Sequence, residues 1–423
     1  MSYELILKAD YILPIITPLI RDGAVHIKDG VIIECDEFSK ISSVDKKIVE
    51  LKNACLLPGF VNAHTHLELT SLKNKIPYKS SFIQWIRDII KAKKNWDERD
   101  YIDSLKLSIK KLVTSGTTTV ADITTSGLSP QVLLSSNLRC RIYKEITGFK
   151  SELITPIIAS LKKYLSNLQP TNLVDFGIAP HAPYSVNPKL FIELFNLAKN
   201  NNLPMSIHIA EVKEELKFLI EGKGEVINLL KELDVWEESW KSPGLTPVKY
   251  LDSLGILNSN IIGIHLNYID EEEIDILKEK RVGVVHCSKS HNFFQREDFS
   301  IQKLINKDIV VALGTDSLAS NDSLSILEEM KELKERYKNF SSNVILKLAT
   351  INGAKVLGLD DKIGSIQPGK RADIIGIKLP ENFSRNLYDF IVEDAKEVML
   401  NMVDGKILNF LGSEVQKLGN LEI

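Results

Sequence analysis

The chain has 423 residues, of which 44% are hydrophobic and 26% charged, and its formal net charge is −3. This length accommodates one large domain with an appendage, or two or three modest domains. The charge balance gives no electrostatic reason to expect nucleic acid or an anionic membrane as a partner. No apolar run approaches the roughly 20 residues that span a bilayer, and the N-terminus lacks the pattern of a signal peptide. The four cysteines form no CxxC pair, so we expect reduced thiols in a cytoplasmic protein.

Both ends of the chain have the pattern of short strands joined by tight turns. Residues 1–55 contain "RDGAVHIKDGVIIECD", and residues 367–423 contain "VEDAKEVMLNMVDGKIL". Asp-Gly turns flanked by alternating apolar residues are typical of β-hairpins. We therefore expect the two ends to pair into one small β-sandwich domain beside the central part of the chain.

The central part, residues 56–366, alternates strand-like runs with amphipathic helical segments. The runs are LLPGFVNAH (56–64), TTTVADIT (117–124), CRIYKEITG (140–148), VDFGIAPHAPYS (174–185), MSIHIAE (205–211), NIIGIHLN (260–267), VGVVHCSKSH (282–291) and IVVALGTDS (309–317). Between them, apolar residues recur at three- and four-residue spacing, as in helices. Eight such alternations favour a closed (β/α)8 barrel over a doubly wound open sheet.

The first of these strands ends in a pair of histidines, His64 and His66, one residue apart. Residues i and i+2 of a strand point to the same side, so both rings can face one way. In such barrels, active sites lie at the carboxyl ends of the strands. Alone, the pair is weak evidence, because histidines with apolar neighbours are often core residues.

Further polar side chains end other predicted strands. The histidines are His181, His208, His265 and His286, with His291 just past the seventh strand. Asp316 ends the apolar run VVALGTD, where a carboxylate is costly unless it is paired, hydrogen-bonded or bound to a metal. Capping of a helix is the alternative for this aspartate. Histidines with one carboxylate suit zinc, or iron or manganese, and such a cation lowers the pKa of bound water toward neutrality.

Glu211 stands three residues after His208 in the motif HIAE. A carboxylate beside activated water can take its proton and pass it to a leaving nitrogen. The alternative is a surface glutamate that opens an acidic helix, where helix starts favour negative charge. His286 and His291 flank "CSKS" and are candidates for substrate contact.

The motifs PGFVNAHTHLE, HAPYS, HIAE, GIHLN, HCSKSH, LGTDSLASN and GSIQPGKRADII occur in this order along nearly the whole chain. Together they resemble the amidohydrolase superfamily, specifically its metal-dependent deaminases and chlorohydrolase-like members. The resemblance implies a barrel inserted in a small β-sandwich made from both termini. It also implies a single divalent metal, zinc in the first place, because the fourth strand carries no metal-bridging lysine; Lys144 on the preceding strand keeps the alternative open.

The resemblance also implies roles for individual residues. His64, His66, His208 and Asp316 correspond to the metal ligands. Glu211 corresponds to the proton-shuttling acid and base, and His265, with Asp316, to the residues that hold the nucleophile. His181 corresponds to a position that contacts substrate in nucleoside deaminases of this group.

The loop after the first strand covers the metal in such barrels, so Glu68, Phe82 and Trp85 are candidates to line the pocket. A glutamate can bind ribose hydroxyls or an exocyclic amine, and the aromatic rings can stack on a heteroaromatic ring or simply pack the first helix. The "HLE" and "F..W" pattern with "HCSKSH" is similar to aminodeoxyfutalosine deaminases of the menaquinone pathway. "HAPYS" and "SN" resemble the S-adenosylhomocysteine and methylthioadenosine deaminases.

We therefore expect a hydrolase that removes the 6-amino group of an adenine-bearing nucleoside, with aminodeoxyfutalosine as the preferred substrate. S-adenosylhomocysteine, methylthioadenosine and adenosine are the alternatives. Hydrolysis of another N-heterocycle, such as a chlorotriazine, would use the same residues and stays open. A catalytically dead barrel would lack a ligand or Glu211, and none is missing. The expected partner is a small molecule, and a homo-oligomer stays open.

Overall fold

The protein is described here by a computed structural model that covers residues 3–79, 81–297 and 299–411. Residues 412–423 of the predicted C-terminal β part lie outside the described residues, as do residues 1–2 of the N-terminal part. The strands are, in chain order, β1 (Glu4–Ile12), β2 (Ile20–Lys28), β3 (Val31–Glu37), β4 (Lys47–Pro58), β5 (Phe60–Thr65), β6 (Thr117–Thr124), β7 (Arg139–Ile146), β8 (Val174–Pro180), β9 (Met205–Ile209), β10 (Ile261–His265), β11 (Gly283–His286), β12 (Val311–Leu313), β13 (Ile374–Lys378), β14 (Val398–Val403) and β15 (Lys406–Phe410). Their hydrogen bonds divide these strands into two sheets.

One sheet is built from both ends of the chain, in the order β15-β14-β13-β4-β1-β2-β3. Two of the predicted hairpin turns are present, because Asp29-Gly30 joins β2 to β3 and Asp404-Gly405 joins β14 to β15, all with positive φ. Asp22-Gly23 lies within β2 instead. The two turns pack together so tightly that a Cβ on Gly405 would lie 2.6 Å from the Cα of Gly30. The prediction of a separate β unit from the two termini is confirmed, and its seven strands are hydrogen-bonded into one sheet.

The other sheet holds β5 to β12, eight strands in sequence order with parallel neighbours. Its first and last strands meet at the carboxyl end, where the backbone amides of Thr315 and Asp316 both donate to the carbonyl of His64 at 2.9 and 3.1 Å. The side-chain amide of Asn62 adds a bond of 2.7 Å to the hydroxyl of Thr315. These contacts bring the sheet to a nearly closed barrel, as the alternation of strands and helices predicted.

Most of the helices follow barrel strands along the chain, whereas the last one lies between two strands of the terminal sheet. They are α1 (Phe82–Lys93), α2 (Glu98–Thr114), α3 (Ser129–Leu133), α4 (Ile154–Ser166), α5 (Pro188–Asn200), α6 (Lys213–Glu221), α7 (Glu225–Glu232), α8 (Pro247–Ser253), α9 (Glu271–Lys280), α10 (Ser288–Phe293), α11 (Ile301–Asn306), α12 (Ile326–Arg336), α13 (Ser342–Leu348), α14 (Ile351–Val356) and α15 (Leu387–Glu393). Among the described residues, no helix combines the length and apolar character that crossing a bilayer requires.

Most of the predicted strands differ from the structure at one or both ends, and two of them show the reason. The run 56–64 is divided, because β4 of the terminal sheet continues to Pro58 and the barrel strand β5 begins only at Phe60. The run 282–291 is too long, because β11 ends at His286 and Ser288–Phe293 is helical. In both cases the strand-like sequence pattern continues past the point where the backbone changes direction. That point is determined by tertiary contacts and is not visible in the pattern.

Candidate active site

Three histidine rings meet at the carboxyl end of the barrel. His64 and His66 lie at the end of β5, and His208 lies in β9. One ring nitrogen of each is within 4.8 Å of the others. The ring of His64 is 5.0 Å from the rings of both His66 and His208, measured between centroids. The alternation of side chains along β5 thus brings the HxH pair to one side, as its spacing predicts.

Asp316 faces this cluster from the end of the last barrel strand. Its Oδ1 is 3.8 Å from Nε2 of both His64 and His66. Its Oδ2 accepts hydrogen bonds from the hydroxyls of Ser290, at 2.7 Å, and Ser320, at 3.0 Å. The two serines therefore hold the Asp316 carboxylate through Oδ2, and Oδ1 faces the histidines. The carboxylate caps no helix, because the next helix, α12, begins at Ile326.

The unpaired nitrogens of this cluster fit a bound cation. Both ring nitrogens of His64 are buried and have no hydrogen-bond partner in the part of the chain that the structure describes. Burial and the neighbouring His208 lower the pKa of His64 well below its usual value, so the ring is neutral and has a lone pair available. A buried ring without a partner is costly unless something else binds it. Nitrogen donors with one carboxylate are a ligand set that zinc prefers.

Glu211 and His265 form a second pair next to the cluster. Glu211 Oε1 is 3.5 Å from His265 Nε2 and accepts a hydrogen bond of 2.7 Å from the guanidinium of Arg296. The three side chains are buried, with at most 6% of each exposed. Arg296 also lies over the ring of Phe294, with 4.5 Å from its guanidinium carbon to the ring centroid. Arg296 was not predicted from the sequence, because it lies in a loop without a recognisable pattern.

The backbone at these strand ends adopts an uncommon conformation. Ala210, His265 and Asp316 have φ values of 50°, 73° and 54°, although none is a glycine. Side chains disfavour this region, and such residues concentrate at functional sites, where surrounding contacts impose the conformation. The positive φ turns the chain at the end of each of these strands. The turns lie at or next to Glu211, His265 and Asp316, which all line the cavity described below.

Glu145, at the end of β7, is a further acidic residue of this region that sequence reasoning missed. One of its oxygens lies within 4.8 Å of ring nitrogens of His181 and His208. Its Oε2 accepts a hydrogen bond of 2.5 Å from the hydroxyl of Thr125. Burial raises the pKa of Glu145, but the nearby rings of His181 and His66 outweigh burial and lower it to about 2. The available signal was its position in the run CRIYKEITG, where it ends a strand as Asp316 does.

A single cavity of about 380 Å³ opens onto these groups. Its deep end is polar and is lined by His66, Glu145, His181, His208, Glu211, His265 and Asp316. Its outer part is lined by apolar side chains that include Phe82 and Trp85. The volume lies in the ~300–1,000 Å³ range of small-molecule sites. The expectation that Trp85 and His181 line a pocket therefore agrees with the geometry.

Glu68 does not line this cavity, contrary to the expectation of a substrate contact. It is 1% exposed. Its carboxylate accepts hydrogen bonds from the hydroxyl of Thr124, the amide of Thr125, and both the amide and the hydroxyl of Ser126. These bonds satisfy the carboxylate and fasten the loop after β6, so the geometry gives Glu68 a structural role.

His286 and His291 also lie outside the cavity lining, and their expected substrate contacts find no support in the geometry. The ring of His286 stacks on Phe299 at 4.2 Å between centroids. The ring of His291 lies 3.0 Å from the side-chain oxygen of Asn267 and 2.6 Å from the carbonyl of Glu297. The two histidines of the HCSKSH motif therefore pack against neighbouring protein groups and hold helix α10 in place beside the site.

An eight-stranded parallel barrel with histidines and an aspartate at the carboxyl ends of its strands defines a class of metal-dependent hydrolases. The chain belongs to the amidohydrolase family, whose profile matches residues 55–408. The family is hydrolytic and metal-dependent, and relatives of this chain are named deaminases, so this chain is a hydrolase that acts on carbon–nitrogen bonds other than peptide bonds.

Relatives and a solved structure extend this comparison over nearly the whole chain. The chain is 29% identical to a 5-methylthioadenosine/S-adenosylhomocysteine deaminase of Thermodesulfovibrio yellowstonii, over 92% of this chain and 88% of the relative. It is 30% identical to a 5'-deoxyadenosine deaminase of Methanobrevibacter smithii, over 93% of this chain and 92% of the relative. The crystal structure of Helicobacter pylori aminofutalosine deaminase in complex with methylthio-coformycin superposes with a TM-score of 0.85 at 24% identity, covering 96% of this chain and 100% of that chain.

Proposed function

We propose that this enzyme is a zinc-dependent deaminase that replaces the 6-amino group of an adenine nucleoside with oxygen, consuming water and releasing ammonia. The observation that carries the proposal is the Glu211–His265 pair, which lines one cavity together with His66 and His208 of the histidine cluster. The names of the curated relatives, all deaminases of adenine nucleosides, support the same reaction.

The metal would be held by His64, His66, His208 and Asp316. When bound, zinc supplies Lewis-acid activation of a water molecule. Arg296 occupies Oε1 of Glu211 at 2.7 Å, whereas Oε2 has no hydrogen-bond partner among the described residues. Glu211 therefore accepts the first proton of the attacking water on Oε2 and delivers it to the ring nitrogen. It then takes the second proton from the added hydroxyl, as the carbonyl forms at the ring carbon, and passes it to the amino group, which leaves as ammonia.

His265 and Asp316 hold the incoming oxygen beside the ring carbon. Both side chains are buried, and their positions are set by the strand ends and by the bonds from Ser290 and Ser320. Preorganised groups of this kind stabilise developing charge without reorganising during the reaction. His181, which is held by a bond of 2.6 Å between Nδ1 and the hydroxyl of Ser185, contacts the heterocycle.

The preferred substrate is aminodeoxyfutalosine, which would place the enzyme in menaquinone biosynthesis. This choice is supported by the sequence pattern after the HxH pair, which continues into the cavity wall at Phe82 and Trp85. Methylthioadenosine, S-adenosylhomocysteine and 5'-deoxyadenosine, named for the relatives, are the competing substrates.

The test is ammonia release by zinc-loaded enzyme from these four nucleosides, adenosine and a chlorotriazine. We expect one adenine nucleoside to exceed the others in kcat/KM by at least about 100-fold, equivalent to about 2.7 kcal/mol of transition-state preference. Glu211→Gln should retain its zinc and lose activity. Absence of ammonia from every adenine nucleoside, with zinc bound, would contradict the proposal.

A further inference from the structure

Glu211 lies on a short stretch of chain between a strand and a helix. β9 ends at Ile209, and α6 begins only at Lys213. The residue is buried, so its backbone N–H and carbonyl need hydrogen-bond partners from elsewhere in the protein. Ala210, just before it, has a φ of 50°, a conformation that surrounding contacts must impose. The place of the Glu211 carboxylate therefore depends on the groups that bind this backbone.

Two neighbouring segments supply those partners. The N–H of Glu211 donates to Oε2 of Glu215 at 2.9 Å. The segment after β10 binds the carbonyl groups, because the amides of Leu266 and Tyr268 donate to the two residues before Glu211, at 2.9 and 3.1 Å. The carbonyl of Glu211 itself accepts a bond of 3.1 Å from Nδ2 of Asn267. Of these carbonyl contacts, the one to Glu211 is made by a side chain, which can turn.

The side-chain amide of Asn267 can point in one direction only. Its Nδ2 must face the carbonyl of Glu211, because the opposite orientation would bring two oxygen acceptors together. Its Oδ1 then faces Nδ1 of His291 at a distance of 3.0 Å. To donate this bond, Nδ1 has to carry a hydrogen, an assignment that follows from the hydrogen-bond network. His291 is thus the group that determines which way the amide of Asn267 points.

The ring of His291 is itself held at both nitrogens. The residue lies in α10 and is 1% exposed. Its Nε2 is 2.6 Å from the backbone carbonyl of Glu297. Both nitrogens face oxygen acceptors, so both carry a hydrogen and the ring is an imidazolium. Neither His291 nor Asn267 occurs among the described residues that line the active-site cavity, so neither is placed to contact a substrate.

We propose that His291 is a positioning residue for Glu211: by fixing the amide of Asn267, it holds the Glu211 backbone where the carboxylate reaches both the attacking water and the nitrogens of the substrate. This inference rests on the deaminase function proposed above. A carboxylate that moves protons from a water oxygen to a ring nitrogen and an amino group has to stay within hydrogen-bond reach of each. A misplacement of about 1 Å costs on the order of 100-fold in rate.

Two replacements of His291 separate this role from a merely structural one. Asparagine places an amide nitrogen near the position of Nδ1, and glutamine places one near the position of Nε2. His291→Asn therefore keeps the donor to Asn267, whereas His291→Gln keeps only the bond to Glu297. We expect His291→Gln to lower kcat about 10- to 100-fold, with KM and zinc content unchanged. His291→Asn should keep most of the kcat, although it also loses one of the two bonds of the ring.

Replacement of Asn267 gives an independent check of the same connection. Asn267→Leu removes the donor to the carbonyl of Glu211 and should lower kcat as His291→Gln does. Because His291 acts through Asn267, the double variant should be no slower than Asn267→Leu alone. Ammonia release at saturating substrate, by protein of measured zinc content, gives the kcat of all these variants.

A second readout does not depend on turnover. In ¹⁵N NMR spectra of the histidine-labelled, zinc-loaded enzyme near neutral pH, Nδ1 of His291 should carry a hydrogen. A bare Nδ1, equal losses of kcat in His291→Asn and His291→Gln, or losses that multiply in the double variant would overturn the inference. If the unmodified enzyme releases no ammonia from any adenine nucleoside while zinc is bound, the proposed function itself has failed.

Discussion

At the scale of single residues, the two oxygens of the Asp316 carboxylate have different partners. Oδ2 is held by the hydroxyls of Ser290 and Ser320, and Oδ1 is left to face His64 and His66. Hydrogen bonds to a ligating carboxylate set its orientation, and their loss commonly costs 10–100-fold in metal affinity or activity. The two serines therefore take part in the site without contacting a substrate.

We expect Ser290→Ala to weaken zinc affinity about tenfold, because Asp316 loses its shorter hydrogen bond and can rotate. The measurement is competition for zinc against a chromophoric chelator. Ser288→Ala is the matched control, since Ser288 begins the same helix and its buried hydroxyl has no hydrogen-bond partner among the described residues. Equal affinities of the two variants would show that the hydroxyl of Ser290 does not orient the carboxylate.

The sequence identified most of the polar residues at and around the cavity, but it placed Glu68 at the cavity wall, where the structure does not have it. Strand ends made His64, His66, His208 and Asp316 recognisable, because the topology of a barrel brings strand ends together. Glu68 was chosen for its place next to the HxH pair, yet it turns toward the amides of Thr125 and Ser126. The direction of a side chain after a strand depends on loop conformation, which no periodicity encodes.

At the scale of elements, the barrel closes where β12 approaches β5 through a glycine. A Cβ on Gly314 would lie 2.8 Å from the carbonyl oxygen and 2.9 Å from the Cβ of His64. Contacts of this length with backbone atoms cannot be relieved by a side-chain rotation. The absence of a side chain at Gly314 thus fixes how close the last strand comes to the first histidine of the site.

We expect Gly314→Ala to displace His64, to lower the free energy of unfolding by about 1–3 kcal/mol and to reduce zinc retention. Chemical denaturation and the zinc content after dialysis measure the two effects. Gly283→Ala serves as the control, because a Cβ there would meet only side-chain atoms of Val356, the nearest at 3.1 Å. A Gly314→Ala protein with normal zinc content would contradict this account of the closure.

The order and number of the barrel strands were predictable, whereas their ends were less so. β6 matches its predicted range, Thr117–Thr124, because turns bound the run on both sides. The run 56–64 was divided between two sheets because Gly59 redirects a chain whose apolar pattern does not change. Apolar residues indicate that a segment is buried. They do not indicate which sheet the segment joins, because the residues of this run are buried in both sheets.

At the scale of the whole molecule, the proposed ligands tie together strands from the start, middle and end of the barrel. A cation that binds the folded protein more tightly than the unfolded chain stabilises the fold by mass action. At a free zinc concentration 100 times the dissociation constant, the stabilisation is about 2.7 kcal/mol. Binding at this site thus acts on the stability of the entire barrel.

We expect removal of zinc by a chelator to lower the Tm of the protein and re-addition to restore it. Glu211→Gln should respond to zinc as the unmodified protein does, because Glu211 is not a proposed ligand. His208→Ala should respond much less. Differential scanning calorimetry at several zinc concentrations checks all three proteins, and a Tm that zinc does not change would exclude a cation site of this kind.

The meeting of the first and last barrel strands also determines when this site can come into existence during synthesis of the protein. His66 leaves the ribosome about 250 residues before Asp316, an interval of roughly 12 to 50 s at ordinary rates of translation. Throughout that interval the nascent chain carries the HxH pair without the strand that completes its surroundings. The full set of proposed ligands therefore exists only after the whole barrel has been translated, and a cation delivered earlier would meet an incomplete set.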